Sequence, residues 1–422
     1  MPNELKIKAL AVNGGSKAVT VPFAPRRHFA EEEIAAATRV MTDAMNAGVA
    51  PGYGGPEETA LGEEFAAMLG GGYADGVNSG TTSVYVALRA LEVDAFTEII
   101  APPVSDPGGI MPIVMANCIP VIADSEVDSF NMSLESIKAR YTENTSAIIV
   151  PHIAGEPADM EGIMAFAKEK GIKVVEDCAQ AHGASINGKP VGTFGDTSGF
   201  SMMFGKHICV GGQGGMVYTK SEELYWKVRQ HADRGKPFGL KGYDNVVGSL
   251  NFNMDEIHAA IGRVQIKKTQ AIADGRRRVV DAIKAKLSDI PCLYWNKLPE
   301  GALPSYWFLR TMFKPGYTSC NKVDFCKALI AEGVTVNIRY AATPYTADWY
   351  TKRNVYGRSG YPWAAPEYKG DKNKYYTLAD VPNADAALDN TIITYPLESW
   401  TDENIEQFSD AFHKVYEAYK LD

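Results

Sequence analysis

Short apolar runs alternate with amphipathic segments along the chain from about residue 57 onward. The apolar runs are rich in β-branched residues, and each is followed by Pro, Asp or polar turn residues, which predicts strands. They are "YADGVNS", "TEIIAPP", "IPVIAD", "TSAIIVPH" and "IKVVED". Between them, "EETALGEEFAAMLGG", "TTSVYVALRAL" and "DMEGIMAFAKEKG" have the spacing of amphipathic helices. Apolar strands that alternate with helices predict an α/β fold with a mainly parallel sheet covered on both faces.

The pattern changes after a long, charged helical stretch, "NFNMDEIHAAIGRVQIKKTQAIADGRRRVVDAIKAKL". The chain beyond about residue 290 contains "YWFLRTMF", "GVTVNIRY" and a final helical run, "TDENIEQFSDAFHKVYEAY". A length of 422 residues favours two domains over one. We expect a large domain over residues 1–265, whose N-terminal segment can pack on the other domain. We expect a long linking helix and a smaller α+β domain over residues 266–422.

Composition narrows the class of protein. Apolar residues make up 45% of the chain and charged residues 22%, as in globular proteins. The formal net charge of −9 disfavours nucleic acid as a partner, because polyanion binding draws on a basic surface. The six cysteines form no CxxC pair and no Cys/His group at zinc spacing, so we expect free thiols and no metal. No secretory signal and no run of roughly 18 apolar residues is found, which indicates a cytoplasmic protein without membrane contact.

The segment "NSGTT", residues 78–82, follows a predicted strand and opens a predicted helix. Free amides at a helix start, with the hydroxyls of Thr81 and Thr82, can hold a phosphate, and Gly80 lets an anion approach the backbone. The same residue types form an ordinary helix cap, and the segment taken alone favours that interpretation.

The segment "KVVEDCAQAHG" ends a predicted strand with two acids, Glu176 and Asp177. Side chains alternate along a strand, so the two acids point to opposite faces and only one needs to face a ligand. An acid at a strand end can be a helix cap, a metal ligand or the partner of a protonated ring nitrogen. The surroundings of His182 fit a packed, hydrogen-bonded histidine better than a catalytic base.

Lys206 lies in "SMMFGKHICVGGQGG", residues 201–215, between an apolar run and a glycine cluster. It is either a surface charge beside a flexible loop or a reactive amine held against a ligand. Partial burial lowers a lysine pKa toward the neutral form that an imine requires, and the glycines let the backbone pass close to a bulky cofactor. A phosphate site, a strand-end acid and an imine-forming lysine, in this order on an α/β sheet, match what pyridoxal phosphate needs.

Segments along nearly the whole chain resemble the DegT/DnrJ/EryC1/StrS sugar aminotransferases, pyridoxal-phosphate enzymes of the aspartate aminotransferase fold, type I. The matching segments are "LAVNGG", "NSGTTSVYVAL", "HIAGEPADM", "VVEDCAQAHGA", "GKPVGTFGD", the Lys206 segment, "NFNMDEIHAAIG" and "ITYPLESWTDENI". The resemblance implies a seven-stranded type of sheet in a large domain and a smaller C-terminal α+β domain. It also implies pyridoxal 5'-phosphate as cofactor and a homodimer with shared active sites.

The resemblance further implies a role for individual residues. Those that would bind the cofactor are Gly80, Thr81, Asp177, Gln180, Ser201, Lys206 and Asn251. The glycine, the threonine and the serine would hold the phosphate, while Asp177 would keep the pyridine nitrogen protonated and Gln180 would lie beside the ring hydroxyl. Lys206 would form the internal aldimine and then move the proton between the α-carbon and the cofactor's C4′ carbon. Asn251 stands where the family's asparagine reaches the phosphate from the neighbouring subunit.

Three positions depart from the family pattern. Asp106, in "VSDPGG", stands where the family usually has an aromatic residue that stacks on the pyridine ring. A carboxylate cannot stack, so either another residue covers the ring or this loop is arranged differently. Asn253 replaces a common arginine and Glu398 a frequent histidine, and "IRYAATPYTADWY" is a loose version of the family's substrate-side segment. These last changes leave the cofactor chemistry intact and leave the substrate open.

The function that the resemblance implies is transfer of an amino group, with Glu or Gln as the expected donor, to a keto-sugar by a ping-pong reaction. The acceptor would be a nucleotide-linked keto-sugar, an oxidised octulosonate-type sugar acid or a cyclitol ketone, used in lipopolysaccharide or antibiotic sugars. An acidic acceptor would need an arginine, for which Arg234 and Arg339 are candidates, although each can equally be a surface charge. A sugar dehydratase is disfavoured, because such family members have histidine in place of the lysine. For a non-catalytic regulator, Asp106 is the single hint.

Overall fold

The computed structural model describes residues 4–242, 244–340 and 342–421. The strands are β1 (Tyr73–Val77), β2 (Glu98–Ala101), β3 (Ile119–Ile122), β4 (Thr145–Pro151), β5 (Lys173–Asp177), β6 (Ser185–Ile186), β7 (Lys189–Pro190), β8 (Thr197–Ser201), β9 (Gly215–Thr219), β10 (Leu293–Tyr294), β11 (Ala302–Leu303), β12 (Leu309–Phe313), β13 (Val336–Asn337) and β14 (Thr391–Thr394). The helices are α1 (Glu4–Lys8), α2 (Glu31–Ala47), α3 (Pro56–Met68), α4 (Gly80–Ala90), α5 (Met111–Met115), α6 (Leu134–Arg140), α7 (Met160–Lys170), α8 (Glu222–Ala232), α9 (Glu256–Ile266), α10 (Thr269–Lys286), α11 (Lys322–Ala331), α12 (Asp348–Thr351), α13 (Pro382–Asn390) and α14 (Asp402–Tyr419).

The large sheet has seven strands in the order β1, β9, β8, β5, β4, β2, β3. The neighbours from β8 to β3 run parallel, whereas β9 is antiparallel to both β8 and β1. Strands β1, β5 and β8 therefore point the same way, and their carboxyl ends meet at one edge of the sheet. The strands predicted from the apolar runs are confirmed, as is the mainly parallel sheet. Ligands gather at such an edge in α/β proteins.

A smaller sheet, in the order β10, β12, β14, β13, lies in the C-terminal part of the chain. Helices α10, α11 and α14 pack with it around a separate apolar core that includes Phe325, Phe408 and Phe412. The N-terminal segment contacts this region, since the amide of Val19 donates to the carbonyl of Glu332 at 3.0 Å. A division of the chain at residue 265 stays a prediction.

The charged helical stretch before the smaller sheet forms two helices, α9 and α10, where the sequence pattern predicted one long helix. At the junction the amide of Lys268 donates to the carbonyl of Gln265, three residues earlier, at 2.9 Å. The Thr269 hydroxyl donates to the carbonyl of Ile266 at 2.8 Å. These contacts tighten the end of α9 and take the carbonyls that a continuous helix would use.

An aromatic-rich segment, residues 342–381, runs back over the large sheet before α13. Tyr368 donates to the buried carboxylate of Glu98 at 2.8 Å, and Trp363 and Tyr350 lie in the same apolar core as strands β2 and β3. Its first residues and Trp349 line a cavity of about 290 Å³ that also includes Ser105. Among the described helices, none is both long and apolar enough to cross a membrane.

Candidate active site

A cavity of about 260 Å³ opens at the carboxyl edge of the large sheet. This volume is near the lower end for small-molecule sites, roughly 300 Å³. The cavity is lined by Ser79, Gly80, Thr81, Val84, Ser105, Asp106, Gly108, Gly109, Pro151, His152, Ile153, Asp177, Ala179, Gln180, Ser201, Met203, Lys206, Gln213 and Trp307. Larger cavities of about 290, 350 and 800 Å³ do not include Lys206, and the first of them shares Ser105 with this site.

Helix α4 begins at the wall of this cavity. Ser79 is its N-cap, since the Ser79 hydroxyl accepts from the Thr82 amide and the Thr82 hydroxyl accepts from the Ser79 amide, both at 3.1 Å. The first amides of a helix have no intrahelical partner, so those of Gly80 and Thr81 are available to a ligand. A Cβ at Gly80 would lie 2.5 Å from the Ser201 Cβ, which explains the glycine. The segment therefore contains an ordinary cap and, one residue further, a helix start that faces the cavity.

Asp177 ends strand β5 and lines the cavity, while Glu176 points to the other face, as the strand alternation predicted. The Asp177 Oδ1 accepts from the Ala179 amide at 3.0 Å. Burial raises the pKa of Asp177, and the Ala179 amide and the Lys206 charge oppose that rise. The carboxylate is thus costly to leave unpaired and suited to a cationic partner inside the cavity.

Lys206 lies in the loop between β8 and β9 and is buried, with 7% of its surface exposed. Burial lowers the pKa of Lys206 to about 8, although Asp177 and Asp106 act in the opposite direction. Its Nζ lies 3.8 Å from the centroid of the Trp307 ring. A buried amine that is partly neutral near physiological pH can act as a nucleophile toward an aldehyde.

The loop with Asp106 is arranged as a short 3-10 turn, and the Asp106 Oδ1 accepts from the Gly108 amide at 2.9 Å. Two glycines of the turn approach the site closely. A Cβ at Gly108 would lie 2.5 Å from the Thr81 Oγ1, and a Cβ at Gly109 would lie 2.5 Å from the Asp177 Oδ2. This wall of the cavity is therefore formed by backbone. A capped turn stands where the family resemblance placed an aromatic ring.

Gln180 lies on the cavity wall and is fixed at both ends of its amide. Its Oε1 accepts from the Ala154 amide at 2.7 Å, and its Nε2 donates to the Tyr340 hydroxyl at 3.4 Å. Ala154 has a positive φ of 64°, a conformation that favours glycine. The contacts hold Gln180 in one orientation toward the cavity.

Glu176 could form a metal site with His152 and Cys178, because the three ligand atoms lie within 4.8 Å of one another. Hydrogen bonds already occupy the carboxylate, whose oxygens accept from the His152 ring at 3.1 Å and from three backbone amides at 2.7 Å. The other His152 nitrogen accepts from the Ala158 amide. Through these hydrogen bonds, Glu176 holds the loop of residues 192–195 against the sheet.

His182, predicted to be packed, is buried, and its ring contacts the Ser201 carbonyl at 2.8 Å.

Asn251 does not line this cavity. It is exposed, and its Oδ1 accepts from the side chain of Asn253 at 2.7 Å. A role for Asn251 in the site of a neighbouring subunit stays a prediction.

The two arginines considered for an acidic substrate also lie outside the cavity. Arg234 is exposed and pairs with Asp233 at 2.8 Å. Arg339 is exposed and pairs with Asp385 at 2.8 Å and with Asp389. Their assignment to substrate binding stays a prediction, and in this chain each has a carboxylate partner.

Several cavity residues were not singled out from the sequence, chiefly Trp307, Ser105 and the two glycines of the Asp106 turn. Trp307 lies in "YWFLRTMF", where a tryptophan next to a strand is expected to be a residue of the hydrophobic core. Its place against Lys206 depends on a contact between distant parts of the chain. The glycine pair was the available signal for the turn, since paired glycines permit close backbone approach.

Comparison with known proteins gives one consistent family. The DegT/DnrJ/EryC1/StrS aminotransferase family matches residues 31–370. The chain is 32% identical over 244 residues to a GDP-perosamine synthase from Vibrio cholerae, a match that covers 58% of this chain and 66% of that protein. It is 27% identical to a putative L-glutamine:3-amino-2,3-dideoxy-scyllo-inosose aminotransferase from Streptomyces kanamyceticus, over 97% of both chains. The match spans 60 to 66% of the length of the first curated relatives.

The fold agrees with that match. An aminotransferase from Psychrobacter cryohalolentis superposes with a TM-score of 0.82 and 26% identity, over 94% of this chain and 99% of the other. The architecture is that of the pyridoxal-phosphate-dependent transferases of fold type I, as the family resemblance implied. On the family match and the shared fold, the chain belongs to the DegT/DnrJ/EryC1/StrS aminotransferase family.

Proposed function

We propose that this protein is a pyridoxal-phosphate-dependent aminotransferase that moves an amino group from an amino acid to the ketone of a polyhydroxylated ring. The observation that carries the proposal is the shared cavity of a buried lysine, a buried acid and a helix start. Lys206, Asp177 and Gly80 all line it, and burial lowers the pKa of the lysine to about 8. The family to which the chain belongs is pyridoxal-phosphate dependent.

The residues present fit the cofactor. The amides at the start of α4 and the Ser201 hydroxyl would hold a phosphate, because a helix N-terminus attracts anions. Asp177 would pair with the protonated ring nitrogen, and Gln180 would contact the ring hydroxyl. When bound, the cofactor supplies an aldehyde for Lys206 and an electron sink for the substrate's α-carbon.

Lys206 would also carry the proton of the reaction. As a neutral amine, its Nζ would take the proton from the substrate's α-carbon and return it to the C4′ carbon of the cofactor. A pKa of about 8 suits this task, since a general base works best when its pKa is near the working pH.

The charges in the cavity favour an acceptor whose ring is neutral. Among the described lining residues, Lys206 has the positive charge, and Asp106 and Asp177 are acids. Asp106 is exposed on the wall, where its second carboxylate oxygen can accept from a sugar or cyclitol hydroxyl. We therefore favour a nucleotide-linked keto-sugar or a cyclitol ketone, in line with the names of the relatives. An octulosonate-type acid would bring a further negative charge toward both carboxylates.

We infer that the working form is a homodimer in which the partner completes each site. Phe204, two residues from Lys206, is 71% exposed. One face of α2 also exposes Ile34, Met41 and Met45, at 52 to 72%. Large apolar side chains exposed on one face of a helix mark an interaction surface. Within this dimer, Asn251 would reach the phosphate of the partner subunit's site.

The dimer can be tested by subunit complementation. Lys206→Ala and Asn251→Ala would each be inactive alone, but a heterodimer would contain one site with both native residues. Coexpression should restore activity to about a quarter to a half of the native level. Mixed dimers without activity would contradict the shared site and leave the Lys206 chemistry untouched.

The function is tested by adding pyridoxal phosphate to the purified protein and following its absorbance. The native protein should turn yellow, bleach with glutamate or glutamine, and regain colour with the true acceptor. A panel of nucleotide-linked keto-sugars, cyclitol ketones and keto-sugar acids then ranks the acceptors. Dehydrated product without amino transfer would favour a dehydratase, and protein that never turns yellow would favour a non-catalytic role.

A further inference from the structure

The ends of the loop that carries Lys206 continue the β8–β9 pairing, for example through the Phe204 amide, which donates to the Gly212 carbonyl at 3.0 Å. Around the lysine, side chains also hold the backbone. The Gly205 carbonyl accepts from the Trp307 Nε1 at 3.0 Å. The next two carbonyls, of Lys206 and His207, accept from the two terminal nitrogens of Arg26 at 2.5 and 3.0 Å. Three consecutive carbonyls therefore have side-chain donors, which fixes a backbone that its glycines would otherwise leave pliable.

The segment that carries Trp307 is held in the same way by a second arginine. Arg276, on helix α10, is 2% exposed. Its Nη1 donates to the carbonyl of Tyr306 at 3.0 Å and to that of Trp307 at 2.9 Å. The backbone beneath the indole ring thus has its own guanidinium support.

One carboxylate joins the two supports. The Glu398 Oε1 accepts from the Arg26 Nε at 2.7 Å, and its Oε2 accepts from the Arg276 Nε at 2.9 Å. The Glu398 side chain is 13% exposed. A Cβ on Gly275, beside the second arginine, would lie 2.8 Å from the Glu398 Cβ, so the backbones approach closely here. Each carboxylate oxygen has one guanidinium, an arrangement that neither lysine nor a neutral amide reproduces.

We propose that Glu398 is a positioning residue for the amino-transfer reaction proposed above. Through Arg26 and Arg276 it fixes the Lys206 Nζ against the face of Trp307. Arg26 comes from the N-terminal segment, Arg276 from α10 and Glu398 from the chain after β14, so the cluster ties three regions outside the large sheet to the reactive amine. This inference rests on the proposed function, because the geometry matters only if Lys206 reacts.

The alternative is that the cluster only stabilises the fold. Buried charges that lose a partner are destabilising in any protein, so a loss of stability cannot distinguish the two roles. The distinction lies in the Lys206 amine. Misplacement of a reacting group by about 1 Å can cost a hundredfold in rate, with substrate binding unchanged.

The test compares the native protein with Glu398→Gln, which keeps the shape and offers one oxygen for two guanidinium groups. In the variant we expect the rate of yellow colour formation with pyridoxal phosphate to fall at least about tenfold. The kcat for amino transfer should fall by a similar factor, with the KM for the amino donor within about threefold of native. Arg26→Lys, which keeps the charge but loses the fork to the two carbonyls, should shift both rates in the same direction.

Glu332→Gln is the matched control. Glu332 is fully buried, and its oxygens accept from the amides of Ala11 and Ala18 and from the Lys414 Nζ, each at 2.8 Å. Like Glu398, it is a buried carboxylate with several donors, but its donors are two amides and a lysine away from Lys206. The control should lose stability, seen as a lower Tm, with the rate of colour formation within about twofold of native.

The outcomes distinguish the positioning role from a role in general stability and from failure of the proposed function. If folded Glu398→Gln and Arg26→Lys both form the coloured species at the native rate, the positioning role is wrong. If Glu332→Gln slows the reaction as much as Glu398→Gln, the effect is one of general stability and the inference is also wrong. If the native protein itself never forms the coloured species, the proposed function fails first. Should Glu398→Gln not fold, Arg26→Lys alone decides.

Discussion

The Nζ of Lys206 lies 3.8 Å from the centroid of the Trp307 ring, and the indole N–H of Trp307 donates to the Gly205 carbonyl at 3.0 Å. An aromatic face attracts an ammonium group, but the same ring removes water from it. Burial has the larger effect, because the pKa of Lys206 is lowered to about 8. At pH 7 such an amine is neutral about 300 times more often than an ordinary lysine.

The first prediction concerns the pH dependence of the reaction with pyridoxal phosphate. The neutral amine is the reactive form, so the rate of colour formation should rise about tenfold per pH unit below 8 and level off above it. Stopped-flow absorbance between pH 6 and 10, under conditions where the protein stays folded, measures the profile. A rate that keeps rising to about pH 10 would mean that the amine is solvated.

The second prediction concerns the indole ring. Trp307→Ala exposes Lys206 to water and removes the hydrogen bond to Gly205, so the midpoint of the pH profile should move up toward 10.5. Trp307→Phe keeps an apolar face and should shift the midpoint less. Equal midpoints for native protein and Trp307→Ala would show that the ring does not set the pKa.

The third prediction concerns stability in the absence of cofactor. Lys206 has a folded pKa of about 8 and an ordinary value of 10.5, so between these values the unfolded chain binds more protons and stability rises with pH. The native protein should therefore gain about 3 kcal/mol relative to Lys206→Met between pH 7 and 10.5. Urea unfolding of both proteins across this range gives the difference. If the free energies of unfolding of the two proteins change in parallel with pH, the lowered pKa of the buried Lys206 is contradicted.

The fourth prediction concerns the turn that follows Asp106. Gly109→Ala would place a Cβ 2.5 Å from the Asp177 Oδ2 and 2.6 Å from the Ser105 Oγ, so the acid must move. Affinity for pyridoxal phosphate should fall at least about tenfold, the cost of one charge-assisted contact. Gly52→Ala is the control, because a Cβ there meets nothing within 4 Å. Equal affinities for both variants would show that the turn accommodates the added methyl group without displacing Asp177.

Much of the fold follows from local sequence. Strands β1 to β5 are apolar runs followed by turn residues, and helix α4 begins at its serine cap, so local sequence was sufficient to predict these elements. Strands β8 and β9 were not predicted from the sequence. The break between α9 and α10 was missed, because Lys267 and Lys268 carry no proline or glycine signal. That helix ends through tertiary and local hydrogen bonds, among them Lys268 to Glu33 at 2.6 Å.

The site residues likewise divide into those that local sequence predicts and those that it does not. Asp177 ends a strand, and Gly80 and Lys206 follow strand ends. Strands that point the same way bring such positions to one edge of the sheet, which made their meeting predictable. Trp307 and Glu398 act through contacts between residues far apart in the chain, and no spacing in the sequence predicts these contacts. The proposed role of Asn251 involves a second subunit, so it must be tested on the proposed dimer.

The role of Lys206 is tested most directly by locating the covalent link to the cofactor. The native protein is mixed with pyridoxal phosphate, reduced with borohydride, digested and analysed by mass spectrometry, with Lys206→Ala in parallel. We predict one dominant labelled peptide, with the label on Lys206, and no dominant label in the variant. A label spread over surface lysines, or equal labelling of the variant, would contradict the claim that the buried amine of Lys206 binds the cofactor.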